Sequence, residues 1–191
     1  MSRPKKIAHI VMRTRQYDKM IAWYEKVFEA QVQHQNPVIA FLTFDDEHHR
    51  FAFINLSAVD PQSSEPEPNN ASGIDHVAFT FENLDALMDA YERLKAAGIE
   101  PYWPIHHGIT ISFYYKDPDG NRIEFQAERF ATMAEGTAYI HSDAFVNNSI
   151  GVNFDAEDFA ARYKAGASDA ELFNMPDGPP AAIPPEHGIG R

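Results

Sequence analysis

Two stretches of the chain repeat each other at a spacing of 67 residues, and this duplication limits the possible folds more than any other feature. Residues 6–11, KIAHIV, resemble residues 73–78, GIDHVA. The same spacing aligns the apolar and aromatic positions of residues 20–27 with those of residues 87–94. A match that continues from one strand into the following helix indicates a duplicated structural unit.

Each unit is predicted to begin with a strand, at residues 7–12 and 74–79, and to continue into a helix. The helices are indicated by apolar residues that recur with a period of about 3.6. The second helix has Asn83 as a candidate N-cap and Gly98 at its end. Further strand-like runs follow the two helices, at residues 38–44, 50–56, 110–115 and 121–126.

The duplication also predicts the domain organisation. The expected segments are a first module, a linker, a second module and a C-terminal extension, at residues 6–57, 58–72, 73–127 and 128–191. The linker is rich in Pro, Ser, Asn and Glu, a composition typical of connections without regular structure. In the extension, Asp155 is a candidate helix N-cap, and Ser168 with Glu171 has the spacing of a capping box. Because the extension is poor in apolar residues, we expect it to pack on the core or on a partner subunit.

Charge and composition exclude several function classes. The chain has 28 acidic and 16 basic residues, a net charge of −12, so we expect neither nucleic-acid binding nor attachment to anionic membranes. It contains no cysteine, which excludes disulfides, thiolate metal sites and cysteine nucleophiles. No apolar run approaches the roughly 20 residues of a membrane span, and the basic amino terminus is not followed by an apolar stretch and cleavage site of the signal-peptide type. We therefore expect a soluble, cytoplasmic protein.

Two of the nine histidines, His9 and His76, occupy equivalent positions in the repeat. A lone histidine on an apolar strand is usually structural, but two related by a pseudo-two-fold axis favour paired metal ligation. Glu124 is the third candidate ligand, because the turn at residues 117–120 should place it opposite Tyr114 on one sheet face. Two imidazoles and one carboxylate suit non-haem Fe(II), although the same set can hold zinc.

Two pairs of adjacent histidines, at residues 48–49 and 106–107, have two interpretations. They could be polar surface residues. Alternatively, one member of each pair faces the metal and takes part in acid–base chemistry, since histidine titrates near neutrality. Adjacent residues point in different directions, so at most one member of each pair should face a common pocket.

Five segments together carry a resemblance to a known family. They are residues 8–10 (AHI), 46–53 (DEHHRFAF), 75–79 (DHVAF), 107–114 (HGITISFY) and 117–124 (DPDGNRIE). The chain resembles the vicinal oxygen chelate superfamily and, within it, the type I extradiol (catechol meta-cleavage) dioxygenases, over residues 6–127. The segment at residues 117–124 is common across that superfamily, whereas the segments at residues 46–53 and 107–114 are typical of the dioxygenases.

This resemblance implies roles for six residues. His9, His76 and Glu124 resemble the family's ligands to Fe(II), which Mn(II) could replace.

Three further residues resemble the catalytic residues of the family. His49 resembles the histidine that assists O₂ activation and proton transfer, and His107 the histidine that interacts with the bound catecholate. Tyr114 resembles a tyrosine that hydrogen-bonds near the metal. The interval from His107 to Tyr114 is shorter than the family pattern, so His106 competes for the role of His107.

The fold implied by the resemblance is α+β. It consists of two tandem βαβββ modules forming a cupped mixed sheet around a metal site, plus an irregular or helical C-terminal extension. The implied reaction is ring opening of a vicinal dihydroxy aromatic by O₂, next to rather than between the two hydroxyls, as in the 2,3-dihydroxybiphenyl and catechol 2,3-dioxygenases. The chain resembles the smaller, one-domain kind, for which self-association into a homo-oligomer is expected.

Two alternatives on the same fold stay open. A glyoxalase-type lyase or isomerase uses a fourth protein ligand, commonly a carboxylate late in the first module, where this chain reads FINL at residues 53–56. A non-catalytic binding protein of the bleomycin-resistance type commonly lacks the metal ligands, which this chain retains.

Overall fold

The described residues of the chain, 6–61 and 74–185 in a computed structural model, divide into two compact units. The first contains residues 6–61 together with the turn Asp117–Asn121, and the second contains the other described residues. Residues 62–72 of the expected linker and residues 186–191 of the expected extension lie outside the described residues.

The first unit has the order strand, helix, three strands. Its elements are β1 (Ile10–Thr14), α1 (Tyr17–Phe28), β2 (Gln31–Gln35), β3 (Ile39–Thr43), β4 (Phe51–Asn55) and the short helix α2 (Leu56–Val59). The sheet order is β1-β4-β3-β2, with β1 parallel to β4 and the other neighbours antiparallel. Helix α1 packs its apolar face on this sheet, where the buried ring of Tyr24 meets Phe51 and Phe53 edge-on at 4.6 and 4.9 Å.

The second unit repeats this order. Its elements are β5 (His76–Thr80), α3 (Leu84–Ala96), β6 (Trp103–His106), β7 (Thr110–Lys116) and β8 (Arg122–Glu128). The sheet order is β5-β8-β7-β6, followed by a short fifth strand from the C-terminal extension, again with one parallel pair, β5 and β8. Helix α3 begins as predicted, because the Asn83 side chain accepts the Ala86 N–H, and it ends before Gly98, which has a φ of +74°.

The C-terminal extension continues the second sheet. Its elements are α4 (Met133–Ile140), α5 (Asp143–Asn147), β9 (Val152–Asn153), α6 (Ala156–Lys164) and α7 (Asp169–Leu172). Strand β9 pairs antiparallel with β6. The predicted N-cap Asp155 and the predicted capping box of Ser168 and Glu171 are both present.

The predicted α+β fold with two βαβββ modules and a helical C-terminal part is confirmed, while several element boundaries differ from the prediction. Strand β1 begins at Ile10 rather than at residue 7, so His9 precedes the strand. Strand β4 ends at Asn55, because the Asn55 side chain accepts the Ser57 N–H and starts α2 at Leu56. No helix in the described part of the chain is both long and apolar enough to cross a membrane.

Candidate active site

The second unit brings His76 and Glu124 together. Strands β5 and β8 are parallel neighbours, and this pairing places the His76 Nε2 atom 3.0 Å from Glu124 Oε2. The other ring nitrogen, Nδ1, lies 2.7 Å from an Asp75 carboxylate oxygen. The His76 imidazole is thus oriented by a carboxylate on one side and presents Nε2 to Glu124 on the other.

Asp75 is itself held by Arg122. The Arg122 Nη2 atom donates to Asp75 Oδ2 at 2.9 Å, and Arg122 Nε donates to the Asp75 carbonyl, also at 2.9 Å. The hydrogen bonds that His76 donates to Glu124 and Asp75 raise the pKa of His76 above its usual value, although burial opposes this. Asp75 and Arg122 both belong to family-like segments of the sequence, but the sequence predicts no role for either, because their contact joins residues 47 positions apart.

Glu124 is buried in the middle of β8, with 4% of its surface exposed. It lies directly opposite Tyr114 in the β7–β8 pairing, so the predicted register is confirmed. Burial alone would raise the pKa of Glu124, but hydrogen bonds from His76 and Ser112 and the nearby His107 bring it below its usual value. The carboxylate is therefore ionised at neutral pH.

The turn that sets this register forms as the sequence predicts. The Gly120 N–H donates to the Asp117 carbonyl at 2.9 Å, and Gly120 has a φ of +82°. The Asp117 carboxylate accepts the N–H groups of Asp119 and Asn121 at 3.0 and 2.8 Å. This closed turn keeps β7 and β8 aligned over their full length.

His107, and not His106, lies beside Glu124. The His107 Nε2 atom is 3.8 Å from Glu124 Oε1 and 3.4 Å from the Tyr114 hydroxyl, which also hydrogen-bonds Glu124. Burial lowers the pKa of His107. Burial and, to a smaller extent, the charge of Glu124 raise the pKa of the Tyr114 hydroxyl.

His106 faces a different environment. Its Nδ1 accepts the Gly108 N–H at 2.9 Å, and 2% of its surface is exposed.

The first unit brings His9 and His49 together. Their rings stack with centroids 4.5 Å apart, and His49 also stacks on Phe41 at 4.6 Å. His48, the other member of the pair, lies against His49 on the exposed side of the loop. Burial, followed by the neighbouring imidazoles of His9 and His48, lowers the pKa of His49. His49 is thus neutral at neutral pH.

The two modules differ at the position of Glu124. In the second unit, Ala78 of β5 pairs with Glu124 of β8, and in the first unit the repeat-equivalent Val11 pairs with Ala52 of β4. Ala52 is buried and has no ligating atom. The first module therefore has no carboxylate at the position that supplies one in the second.

Metal binding can be judged from the donors present. Among residues 6–61 and 74–185, no three His, Asp or Glu side chains are arranged so that they could hold a metal ion. His76 Nε2 and the ionised Glu124 are nevertheless one nitrogen and one oxygen donor of the type that divalent iron accepts. These are two of the three ligands that the sequence predicts, and the third, His9, belongs to the first unit.

Comparison with known proteins yields a family and several relatives. The family model described as Glyoxalase/Bleomycin resistance protein/Dioxygenase superfamily matches residues 6–125. Biphenyl-2,3-diol 1,2-dioxygenase 2 of Rhodococcus globerulus is 43% identical over 155 residues, covering 81% of this chain and 80% of the relative. Biphenyl-2,3-diol 1,2-dioxygenase 3 of the same organism is 43% identical over 168 residues, covering 87% and 86%.

A solved structure supports the fold. The crystal structure of lactoylglutathione lyase from Agrobacterium tumefaciens matches with a TM-score of 0.51 at 20% identity, covering 66% of this chain and 96% of that one. At this identity the likeness concerns the arrangement of the backbone and not the reaction.

Proposed function

Because the chain belongs to the glyoxalase/bleomycin resistance protein/dioxygenase superfamily, we propose that it is an Fe(II)-dependent extradiol dioxygenase acting on a catechol-type substrate with O₂. The observation that carries the proposal is the pair formed by His76 and the buried, ionised Glu124. It occurs in a chain that is 43% identical to two biphenyl-2,3-diol dioxygenases over most of its length. We place the enzyme in the cytoplasm.

We propose His9, His76 and Glu124 as the iron ligands, with Mn(II) as a possible replacement metal. A set of two imidazoles and one carboxylate leaves coordination positions free for other molecules. Bound iron would supply the redox coupling between the aromatic ring and O₂. The protein supplies ligand orientation, and here Asp75 and Arg122 orient His76.

Tyr114 and His107 are proposed to bind the substrate oxygens. The Tyr114 hydroxyl stays protonated because burial and the Glu124 charge raise its pKa, so it acts as a hydrogen-bond donor. His107 stays neutral because burial lowers its pKa, so one ring nitrogen accepts a proton or a hydrogen bond. Donor and acceptor lie 3.4 Å apart, a spacing that lets both contact one hydroxylated ring edge.

His49 is proposed to accept and return protons during turnover. Its lowered pKa makes it a neutral imidazole at neutral pH, as a general base requires. Stacking on Phe41 and His9 fixes the plane of its ring.

The metal-dependent lyase is the first alternative, and Ala52 argues against it. A four-ligand site would need a carboxylate in the first module, but the position equivalent to Glu124 carries a methyl side chain. A non-catalytic binding protein would not need an oriented His76–Glu124 pair.

The test is an aerobic assay of the full chain, purified without oxygen and loaded with Fe(II), using 2,3-dihydroxybiphenyl and simple catechols. We expect one O₂ consumed per substrate and a yellow ring-fission product. The variant Glu124→Ala should lose both bound metal and turnover, whereas Glu82→Ala, at an exposed residue, should retain both. Iron-loaded protein that consumes no O₂ with any catechol would refute the proposal, and turnover of a glutathione hemithioacetal would support the lyase.

A further inference from the structure

The orientation of His107 is set from outside the duplicated modules. Its Nδ1 atom lies 2.6 Å from the carbonyl oxygen of Ile150, which precedes β9 in the C-terminal extension. Its Nε2 atom lies 3.4 Å from the Tyr114 hydroxyl and 3.8 Å from Glu124 Oε1. The two ring nitrogens thus face different partners.

These contacts decide which nitrogen carries the proton. A carbonyl oxygen only accepts hydrogen bonds, so a contact of 2.6 Å with Ile150 requires a proton on Nδ1. The carboxylate of Glu124 would favour a proton on Nε2, but at 3.8 Å it is beyond hydrogen-bond distance. The shorter contact prevails, and neutral His107 has an unprotonated Nε2.

We propose that the Ile150 carbonyl is a positioning group of the active site, which fixes His107 in the Nδ1–H tautomer and so presents the Nε2 lone pair as the acceptor for a substrate hydroxyl. The role of that acceptor rests on the proposed dioxygenase function. The tautomer itself rests only on the contacts of His107.

The segment around Ile150 is built to hold its carbonyl in place. Gly151 has a φ of +100°, and a Cβ there would collide with the His106 carbonyl oxygen and lie 2.8 Å from His107 Cα. Only glycine permits this close approach to the His106–His107 backbone. Asn148 fixes the same residue, accepting the Gly151 N–H at 2.7 Å and donating to its carbonyl at 3.2 Å.

The following residues anchor the segment to the second sheet. Strand β9 pairs Val152 with His106 and Asn153 with Ile105. The Trp103 indole N–H donates to the Asn153 side chain at 2.8 Å. The extension is therefore joined to β6, the strand that leads into His107.

The test is the tautomer of His107, measured by long-range ¹H–¹⁵N correlation spectra of the ¹⁵N-histidine-labelled, metal-free full chain at pH 8. We expect the Nδ1–H form in the wild type and a shift to the Nε2–H form in Gly151→Ala. The matched control is Gly166→Ala, because Gly166 also has a positive φ (+83°) but a Cβ there meets nothing within 4 Å. The control should keep the Nδ1–H form.

A second pair of variants keeps the test decisive if Gly151→Ala does not fold. Asn148→Ala removes both side-chain bonds to Gly151 and should populate the Nε2–H form, whereas Asn148→Asp retains the acceptor for the Gly151 N–H and should keep the wild-type form. An Nε2–H tautomer in the wild type would overturn the proposal. So would an unchanged Nδ1–H tautomer in folded Gly151→Ala, or in Asn148→Ala where Gly151→Ala does not fold.

Turnover measurements separately test whether the His107 tautomer matters for the reaction. In Fe(II)-loaded protein, kcat on a catechol should fall about 10²-fold in Gly151→Ala, the usual contribution of a positioned proton acceptor, and should not change in Gly166→Ala. A changed tautomer with unchanged kcat would refute the link to chemistry. Absence of all dioxygenase activity in the wild type would instead refute the proposed function, since the tautomer measurement needs neither iron nor substrate.

Discussion

His106 should make the folding stability of this protein fall as the pH falls from 6.5 to 4. The side chain is 2% exposed, and its Nδ1 accepts the Gly108 N–H, so the single ring proton lies on Nε2. That Nε2 faces the backbone of Phe173 without a well-formed hydrogen bond. Burial, reinforced by the nearby Arg129 charge, lowers the pKa of His106 to about 4.

The magnitude follows from linkage between protonation and folding. The ordinary pKa of 6.5 applies in the unfolded chain, so between pH 6.5 and about 4 the unfolded state binds a proton that the folded state does not. Stability from His106 is therefore complete above pH 6.5 and is lost as the pH falls toward 4. The difference of about 2.5 between the two pKa values corresponds to about 3.5 kcal/mol of unfolding free energy, at about 1.4 kcal/mol for each pKa unit.

The measurement is urea unfolding of the metal-free protein, followed by tryptophan fluorescence at several pH values from 7.5 to 4.5. Other groups titrate in this range, so the informative quantity is the difference between the wild type and His106→Asn. Asparagine can keep an acceptor for the Gly108 N–H but does not titrate. Between pH 7.5 and 4.5, a range that ends above the lower pKa, we expect the wild type to lose about 2.5 kcal/mol more than the variant.

The control is His141→Gln, at an exposed histidine that ends α4. This variant should show the same pH dependence as the wild type. If His106→Asn loses stability as steeply as the wild type, burial of His106 does not control its protonation and the reasoning is wrong.

Three further predictions concern metal affinity, turnover and stability. Asp75→Asn should weaken Fe(II) or Co(II) binding by about 10- to 100-fold in titration calorimetry, because the carboxylate orients the His76 ring. His49→Phe should keep metal binding but lower kcat by about 10²- to 10⁴-fold, because phenylalanine retains the ring stacking and cannot carry a proton. Tyr24→Phe should cost about 1–3 kcal/mol in urea unfolding, because it removes a buried 3.1 Å hydrogen bond to Asp117.

Each of these predictions has a control, at an exposed residue or at an exposed hydrogen bond. Asp89→Asn should leave metal affinity unchanged, and His141→Phe should leave kcat unchanged. Tyr163→Phe also removes a tyrosine–carboxylate hydrogen bond, but an exposed one, and should cost less than about 1 kcal/mol. Equal effects in variant and control would contradict the corresponding explanation.

The fold was predictable because its signals are local and occur twice. The amphipathic period of α1 and α3, the Asn83 cap and the turn before β8 each depend on neighbouring residues. Strand β2 was not assigned individually because its sequence, QVQHQ, is polar and largely exposed. Helix α4 was missed, although the capping box of Thr132 and Glu135 that starts it is visible in the sequence.

The choice between His106 and His107 was not predictable in the same way. The two residues are adjacent, and β6 ends at His106, so a shift of one residue in the strand would exchange their surroundings. The Ile150 carbonyl that orients His107 comes from 43 residues further along the chain. No local sequence pattern predicts such a contact.

The proposed ligands His9 and His76 lie where the duplicated modules match, whereas Glu124 and Tyr114 lie where the modules stop matching. In the second module Tyr114 lies opposite Glu124, and at the equivalent pairing of the first module Phe41 lies opposite Ala52. The main-chain arrangement is the same in both pairings, because the hydrogen bonds between the strands join main-chain atoms and do not depend on these side chains. One module is thus free to carry a carboxylate and a hydroxyl, while the other carries an apolar pair, of which Phe41 stacks on His49. A repeat in the sequence therefore predicts the scaffold and the paired histidines, and the positions that break the repeat identify further residues to test.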